Sequence, residues 1–415
     1  MLWLVLFASG LGGCAEETPG ATRPKGGFQF PVGLAVHPAG FALVVSSNVD
    51  LAYVGGSLVA VDLNGLARTD LGRPPADDPH FARFVLSEGG LGLDNFGGSV
   101  VLSADGAQAA VAVRETRQVM LLDLVADPGQ GRLTMNCWPD ERRPGGDYPV
   151  CEGARHVLNV ATRDPFALLF ADLPGAERLL VVGGLRADRL EGYSLDLAGG
   201  APPALAFQYL IDELHGVLGI NDLALAPSSG LVYAPVRFPR VYSNPVLMFD
   251  PALRGAGPLE QTDFFRQFLG GEVRSVAFRA DGQVAGVLIR NPDMLVLLDT
   301  SLDERGLPRN RLLHTLAVGD NPSLVRARGD LFLVTCAKDD TLYAVDGRQG
   351  RLLAIREDIC VGPFGLDFHD LPDGRRWVLV SCFEDGQVAI LEGDPLNPGF
   401  LDVLARVGIP TEEQR

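Results

Sequence analysis

Apolar runs of five to eight residues alternate with short polar breaks along most of the chain, and the breaks come in a fixed order. One apolar run ends in a tight glycine turn. A second follows, and after a further polar break a third run closes on Asp or Glu. The turns read His37-Pro38-Ala39-Gly40, Ser103-Ala104-Asp105-Gly106, Ala226-Pro227-Ser228-Ser229-Gly230, Arg279-Ala280-Asp281-Gly282 and Leu371-Pro372-Asp373-Gly374, with weaker forms at 173–175 and 327–330. The closing carboxylates are Asp62, Asp123, Asp196, Asp250, Asp299, Asp346 and Glu392. Short runs rich in Val and Leu suit strands covered on both faces. Such a unit cannot bury its faces alone, so its copies must stack. Antiparallel sheets stacked radially make a β-propeller. Seven copies predict an all-β fold, a seven-bladed β-propeller of four-stranded antiparallel blades spanning 28–408, with a tail at 409–415.

The first strand of each unit is placed at 32–37, 99–103, 156–162, 220–226, 273–279, 322–327 and 364–369. Outer strands are placed at 83–87, 204–210, 264–269, 312–319, 351–356 and 400–408. The early units are longer, and their excess falls in 64–95, 126–155 and 198–218. Insertions in repeat arrays map to loops, commonly on one binding face.

Composition fits a well-buried globular chain: 47% hydrophobic and 21% charged, with 50 Gly and 29 Pro for the many turns. A net charge of −17, with no basic stripe interleaved with aromatics, argues against nucleic acid as a partner.

Residues 1–13 form an apolar segment with small residues just before Cys14, too short for a membrane span and patterned as a secretory signal. Leu11-Gly12-Gly13-Cys14 resembles the bacterial lipobox, which implies lipidation of Cys14 and removal of the preceding peptide. Ala15 after it resembles lipoproteins sent to the outer membrane. Residues 14–27 read as the lipidated Cys and a flexible Pro/Gly-rich tether. Export suits the cysteines, because an oxidising compartment permits disulfides. Cys137 and Cys151 flank a Pro/Gly/charge-rich loop and are expected to be bridged. Cys336, Cys360 and Cys382 should emerge on one face, leaving room for one further pair and one thiol; the sequence does not choose the pair.

Pro31-Val32-Gly33-Leu34-Ala35-Val36-His37-Pro38-Ala39-Gly40 is similar to the opening of the YVTN-type seven-bladed propeller repeat, kin of NHL and quinoprotein-like propellers. Val318-Gly319 with Pro322, and Val361-Gly362-Pro363-Phe364-Gly365-Leu366, resemble the same opening, although the namesake tetrapeptide is reduced to Val45-Ser46-Ser47-Asn48. With the lipobox, the resemblance implies an exported propeller lipoprotein. Trp-Asp endings and paired-glycine signatures do not recur, which argues against WD40 and kelch repeats.

No nucleophile elbow, zinc-protease helix motif, phosphate loop or EF-hand loop is present. His37 and His369, at first-strand ends beside the turns, read as structural. First-strand starts face the channel and carry His156, Asn221, Asp222, Arg274 and Asn321. The resemblance to propeller lactonases implies a Ca²⁺ site of Glu, Asn and Asp at the channel mouth; Asp222, Asn321 and Asn221 match in type, and a Glu partner is missing. Otherwise no cofactor is expected. The ends of second strands carry Arg114, Arg237, Arg290 and Lys338 in matching register, with Arg186 close to it. A cationic ring on an acidic protein could focus an anionic ligand or partner. The expected function is an exported, lipid-anchored binding scaffold in the cell envelope rather than an enzyme; a propeller lactonase or hydrolase at the channel mouth is the alternative.

Overall fold

A computed structural model describes residues 21–414, apart from residues 24, 138–140, 143–147, 175–176, 187–188, 197–200, 211–216, 240–245 and 255–270. Seven sheets, antiparallel but for one parallel pairing of Val150 with Gly92 in the first, follow one another in chain order and close into a seven-bladed β-propeller. Blades three, five, six and seven are plain four-stranded meanders, as in blade six: Pro322–Arg328, Leu331–Cys336, Thr341–Asp346 and Arg351–Arg356. The middle strands are largely buried, Leu331–Cys336 along its whole length, because each is covered on both sides by neighbouring blades. Among the described residues, no helix is long and apolar enough to cross a membrane.

Two backbone devices bend these sheets into a ring. Six of the seven inner strands carry a register shift close to their start, between Pro31 and Gly33, Gly97 and Val100, Pro165 and Ala167, Val273 and Ser275, Pro322 and Leu324, and Pro363 and Leu366. The seventh, in blade four, breaks outright between Val217–Ile220 and Ala224–Leu225. A bulge bends a strand and tightens its twist where the channel opens. The glycine of Pro31-Val32-Gly33 permits close approach there: a Cβ on Gly33 would lie 2.6 Å from the Gly98 carbonyl oxygen of blade two. Gly365 meets the Val32 carbonyl of blade one in the same way, at 2.8 Å.

The ring is sealed by packing and by a bridge. Blade one is built from Pro31–His37, Phe41–Ser46, Ser57–Asp62 and Leu91–Gly92. Blade seven is built from Pro363–Asp370, Arg376–Cys382, Gln387–Glu392 and Val403–Val407. Gly27 forms a parallel bridge with Ile409, and Phe28 is fully buried in one cluster with Val388, Ile390 and Val407. Burying that ring contributes about 1.5–3 kcal/mol to closure. Gln414 accepts from Gln29 Nε2 at 2.9 Å, which attaches the end of the chain to the same seam.

Five of the seven recurrent carboxylates cap the turn that follows them, while Asp123 accepts from Arg155 instead. Asp62 accepts from Gly65 N (3.0 Å), Asp250 from Ala252 N (2.9 Å), Asp299 from Ser301 N (3.0 Å), Asp346 from Arg348 N (2.9 Å) and Glu392 from Asp394 N (3.0 Å). The hairpin turns at Gly40, Gly106, Gly230, Gly282 and Gly374 all have positive φ. His37 links two of them: its Nε2 bonds the Gly106 carbonyl at 3.0 Å and its Nδ1 accepts from Ala39 N at 3.0 Å.

The inner strand placed at 220–226 is broken at 221–223, and other placements also differ from the sequence expectation. Val157–Asn159 is an outer strand on the third strand of blade two, and blade three starts instead at Pro165–Leu173. Proline opens this strand as it opens those of blades one, six and seven. Residues 83–87 supply only an isolated antiparallel bridge, Val85 to Val61, at the outer edge of blade one, not a continuous strand. Short 3₁₀ turns at Ala82–Phe84 and Ser87–Gly89 occupy that region, and Leu91–Gly92 pairs with the third strand. The 137–151 loop has strands of its own, Glu141–Arg142 and Pro149–Val150, which extend the blade-one sheet to six strands. The outer strand placed at 264–269 lies outside the described residues.

Among the described residues two disulfides are present, Cys137–Cys151 and Cys360–Cys382, and Cys336 is a buried free thiol. The first closes the loop that straps blade two onto blade one. The second ties the approach to blade seven to the end of its second strand.

Candidate functional site

Inner strands start, and second strands end, on one face of the ring, so their polar termini meet at the channel mouth. The cations predicted there are all on this face, and each is met by an acid. Arg114 of blade two donates from Nε to Asp164 Oδ1 at 2.5 Å, just ahead of the blade-three inner strand. Arg186 approaches the other Asp164 oxygen at 3.9 Å with its side chain largely exposed. Lys338 pairs with Asp320. Arg237 of blade four and Arg290 of blade five both reach Glu272, at 2.9 and 3.9 Å. Arg114–Asp164 and Arg237–Glu272 fasten one blade to the next, and the other three pairs lie within a blade.

Glu272 is the centre of the densest group. It opens the inner strand of blade five, Glu272–Phe278, and Arg274 two residues on donates Nη1 to its Oε1 at 2.6 Å. The Asn221 side chain donates to the Arg274 carbonyl at 3.0 Å, fixing the break in blade four against this strand. One carboxylate thus meets three guanidiniums. Burial alone would raise the Glu272 carboxyl, but Arg274, Arg237 and Arg290 hold it below its usual range. Burial and the neighbouring Arg290 push Arg274 down to about 10.

Deeper in the channel, polar side chains form a belt across four blades. Asp222, in the break of blade four, accepts from Ser275 Oγ at 2.5 Å and from Arg326 Nη1 at 3.0 Å. Ser275 Oγ accepts from Val325 N at 3.2 Å. In blade seven, Asp367 accepts from Val36 N of blade one at 2.7 Å, and burial pushes its carboxyl up. The three metal candidates are therefore turned to different tasks. Asp222 is held by a guanidinium, Asn221 donates to the Arg274 backbone, and Asn321 adopts a left-handed φ of 59° while its carbonyl accepts from Ala337 N at 3.2 Å. His156 is away from the channel, its Nδ1 bonded to the Leu121 carbonyl at 2.9 Å on the outer side of blade two. Among the described residues, one cluster has metal-ligand spacing, Cys360, Cys382 and Asp385, and its cysteines are joined to each other.

Sequence reasoning did not find Glu272, Asp164, Ser275 or Arg326. The available signal was an acid shortly before an inner strand, which gains meaning only once the preceding blade's arginine is known to end on the same face. Cys14 lies outside the described residues.

Exposed apolar surface gathers elsewhere, on the rim. The outer strands of blades five and six, Arg311–Ala317 and Arg351–Arg356, repeat Arg-Leu-Leu in the same register: Arg311 faces Asp299 and Arg351 faces Asp346, each followed by a bulge. Leu312, Leu313, Leu352, Leu353 and Ile355 are 37–45% exposed in consequence. The blades touch there, since a Cβ on Gly350 would strike the His314 ring. An apolar groove of about 750 Å³ also lies where Val85, Leu86 and Leu91 of blade one face Leu133 and Met135 of blade two.

No family model matches this sequence, and no curated protein matches it. Solved structures do. Sqt1 of Saccharomyces cerevisiae is similar with a TM-score of 0.52 at 8% identity, over 90% of this chain and 98% of that one. The β-propeller domain of Cps50 (Swd1) from Myceliophteria thermophila gives 0.56 at 11% identity, over 88% and 98%. A Lactobacillus plantarum protein gives 0.52 at 13%, over 80% and 85%. At these identities the likeness defines the class, a β-propeller, and nothing finer.

Proposed function

We propose that this chain is an exported propeller of YVTN-like ancestry, lipid-anchored through Cys14 to the outer membrane, that serves as a scaffold for another envelope protein. The observation that carries the binding reading is the rim of blades five and six. Contiguous apolar surface on a soluble face marks an interaction site, and here the same leucine pair is displayed by two neighbouring blades. Each pair lies on a strand with an open edge, where a partner's strand can add backbone hydrogen bonds. Two disulfides support export, because such bonds persist in oxidising compartments.

The test is co-purification from the native envelope with the wild-type chain and with Leu313→Asp/Leu353→Asp. Both side chains already meet solvent, so the double variant should fold. Loss of one defined partner in the variant supports the proposal, and an unchanged set of bound proteins contradicts it. The anchor is tested separately: Cys14→Ser should release the protein from the membrane fraction.

A further inference from the structure

We propose that Arg237, Arg274 and Arg290 form a binding site for a small oxyanion, a carboxylate or phosphate group, at the channel mouth between blades four and five. Glu272 meets all three guanidiniums, yet it leaves donors of Arg274 and Arg290 over. Arg274 Nε and Arg290 Nε are buried without any hydrogen-bond partner. Buried donors are nearly always satisfied, and a charged one left unmade is costly. Arg274 retains only 6% of its exposure, so water at the surface does not serve it.

Among the described residues, no neighbour supplies the missing acceptor, not even Asp293, whose Oδ1 is itself buried without a partner. Arg290 Nη2 is bonded to the Pro322 carbonyl at 3.2 Å. Asp293 and Asp320 act on Arg290 through their charge, yet neither accepts from its Nε, and Asp320 is taken by Lys338. The site is reachable from solvent, because the side-chain exposure rises from 7% at Arg274 through 18% at Arg290 to 29% at Arg237. A planar or tetrahedral oxyanion matches guanidinium donors in geometry and charge. Glu272 would then act as the internal counter-ion that holds the three arginines apart when no ligand is bound. This site is independent of the rim, so either can fail without the other.

Thermal unfolding and calorimetric titration of the purified protein with inorganic phosphate and with malonate test the site, at constant ionic strength set with chloride. We expect saturable stabilisation by at least one of the two, weakened about tenfold or more in Arg290→Gln and in Arg237→Gln, whose partial exposure protects folding. Glu272→Gln should tighten the same anion, because a competing carboxylate is removed. Arg114→Gln, whose partner is Asp164, should leave it unchanged. Absence of saturation with both anions, or equal affinity in the wild type, Arg237→Gln and Arg290→Gln, overturns the proposal.

Discussion

Gly319 stands opposite Cys336 in blade six as Cys360 stands opposite Cys382 in blade seven. Cys336 pairs across its sheet with Pro322 and Cys382 with Pro363, and Gly319 and Cys360 each lie three residues ahead of that proline. A Cβ built on Gly319 would be 3.1 Å from the Cys336 Cβ. Blade six therefore carries half of the blade-seven disulfide, which explains why the odd cysteine is the one left reduced.

Gly319→Cys should complete the bond. Non-reducing peptide mapping of the variant is expected to show the introduced thiol joined to Cys336, a cross-link the wild type lacks. Closing a loop of about 18 residues should add about 2–3 kcal/mol of stability. The Asp339 carboxylate, 2.7 Å from the new Cβ, has to turn aside. A Cys336 that still alkylates after denaturation of the oxidised variant contradicts the equivalence. In the wild type, burial pushes this thiol up to about 12, so it should resist alkylation until the protein unfolds.

Arg178 is a buried blade staple on the opposite face. Its side chain is 6% exposed and reaches Asp172 in its own blade at 2.6 Å and Asp105 and Gln108 in blade two, each at 3.1 Å. The partner carboxylates are about half exposed, and solvent screening limits the effect. Arg178→Gln should lower stability to urea by about 1–3 kcal/mol. A loss within about 0.5 kcal/mol, on the order of a neutral surface change, would show that the blades are joined by apolar packing alone.

How much of this was readable depended on how local each rule is. The glycine turns, the capping carboxylates and the outer strands at 204–210, 351–356 and 400–408 follow from residues a few positions apart, and they lie where the sequence puts them. The start of blade three did not, because the shorter apolar run at 156–162 comes first after the loop and only sheet pairing shows that it joins blade two. Arg237 and Arg290 were visible as cations on one face. Their common partner Glu272 was not: Arg290 stands opposite it within blade five, and Arg237 reaches it only after blades four and five have been set side by side.

Acidification should destabilise the ring before the carboxylates titrate. Burial holds His37 and His369 below the ordinary value of 6.5, against the opposing effects of the Gly106 carbonyl on one and Asp370 on the other. The unfolded chain then binds more protons than the folded one as pH falls below 6.5, so stability is full above that value and declines beneath it. Urea midpoints between about pH 7.5 and 5.5 should fall with acid, and His37→Gln with His369→Gln should flatten the slope. A midpoint that holds or rises over that range contradicts the burial of neutral imidazoles.

Site-specific photo-crosslinking in living cells addresses the scaffold most directly. A photoreactive residue at Leu313 or Leu353 should capture the same single envelope protein, and one at Val125, which is 56% exposed on blade two, should not. Capture of lipid alone, of nothing, or of the same species from Val125 would contradict a protein partner seated on the rim of blades five and six.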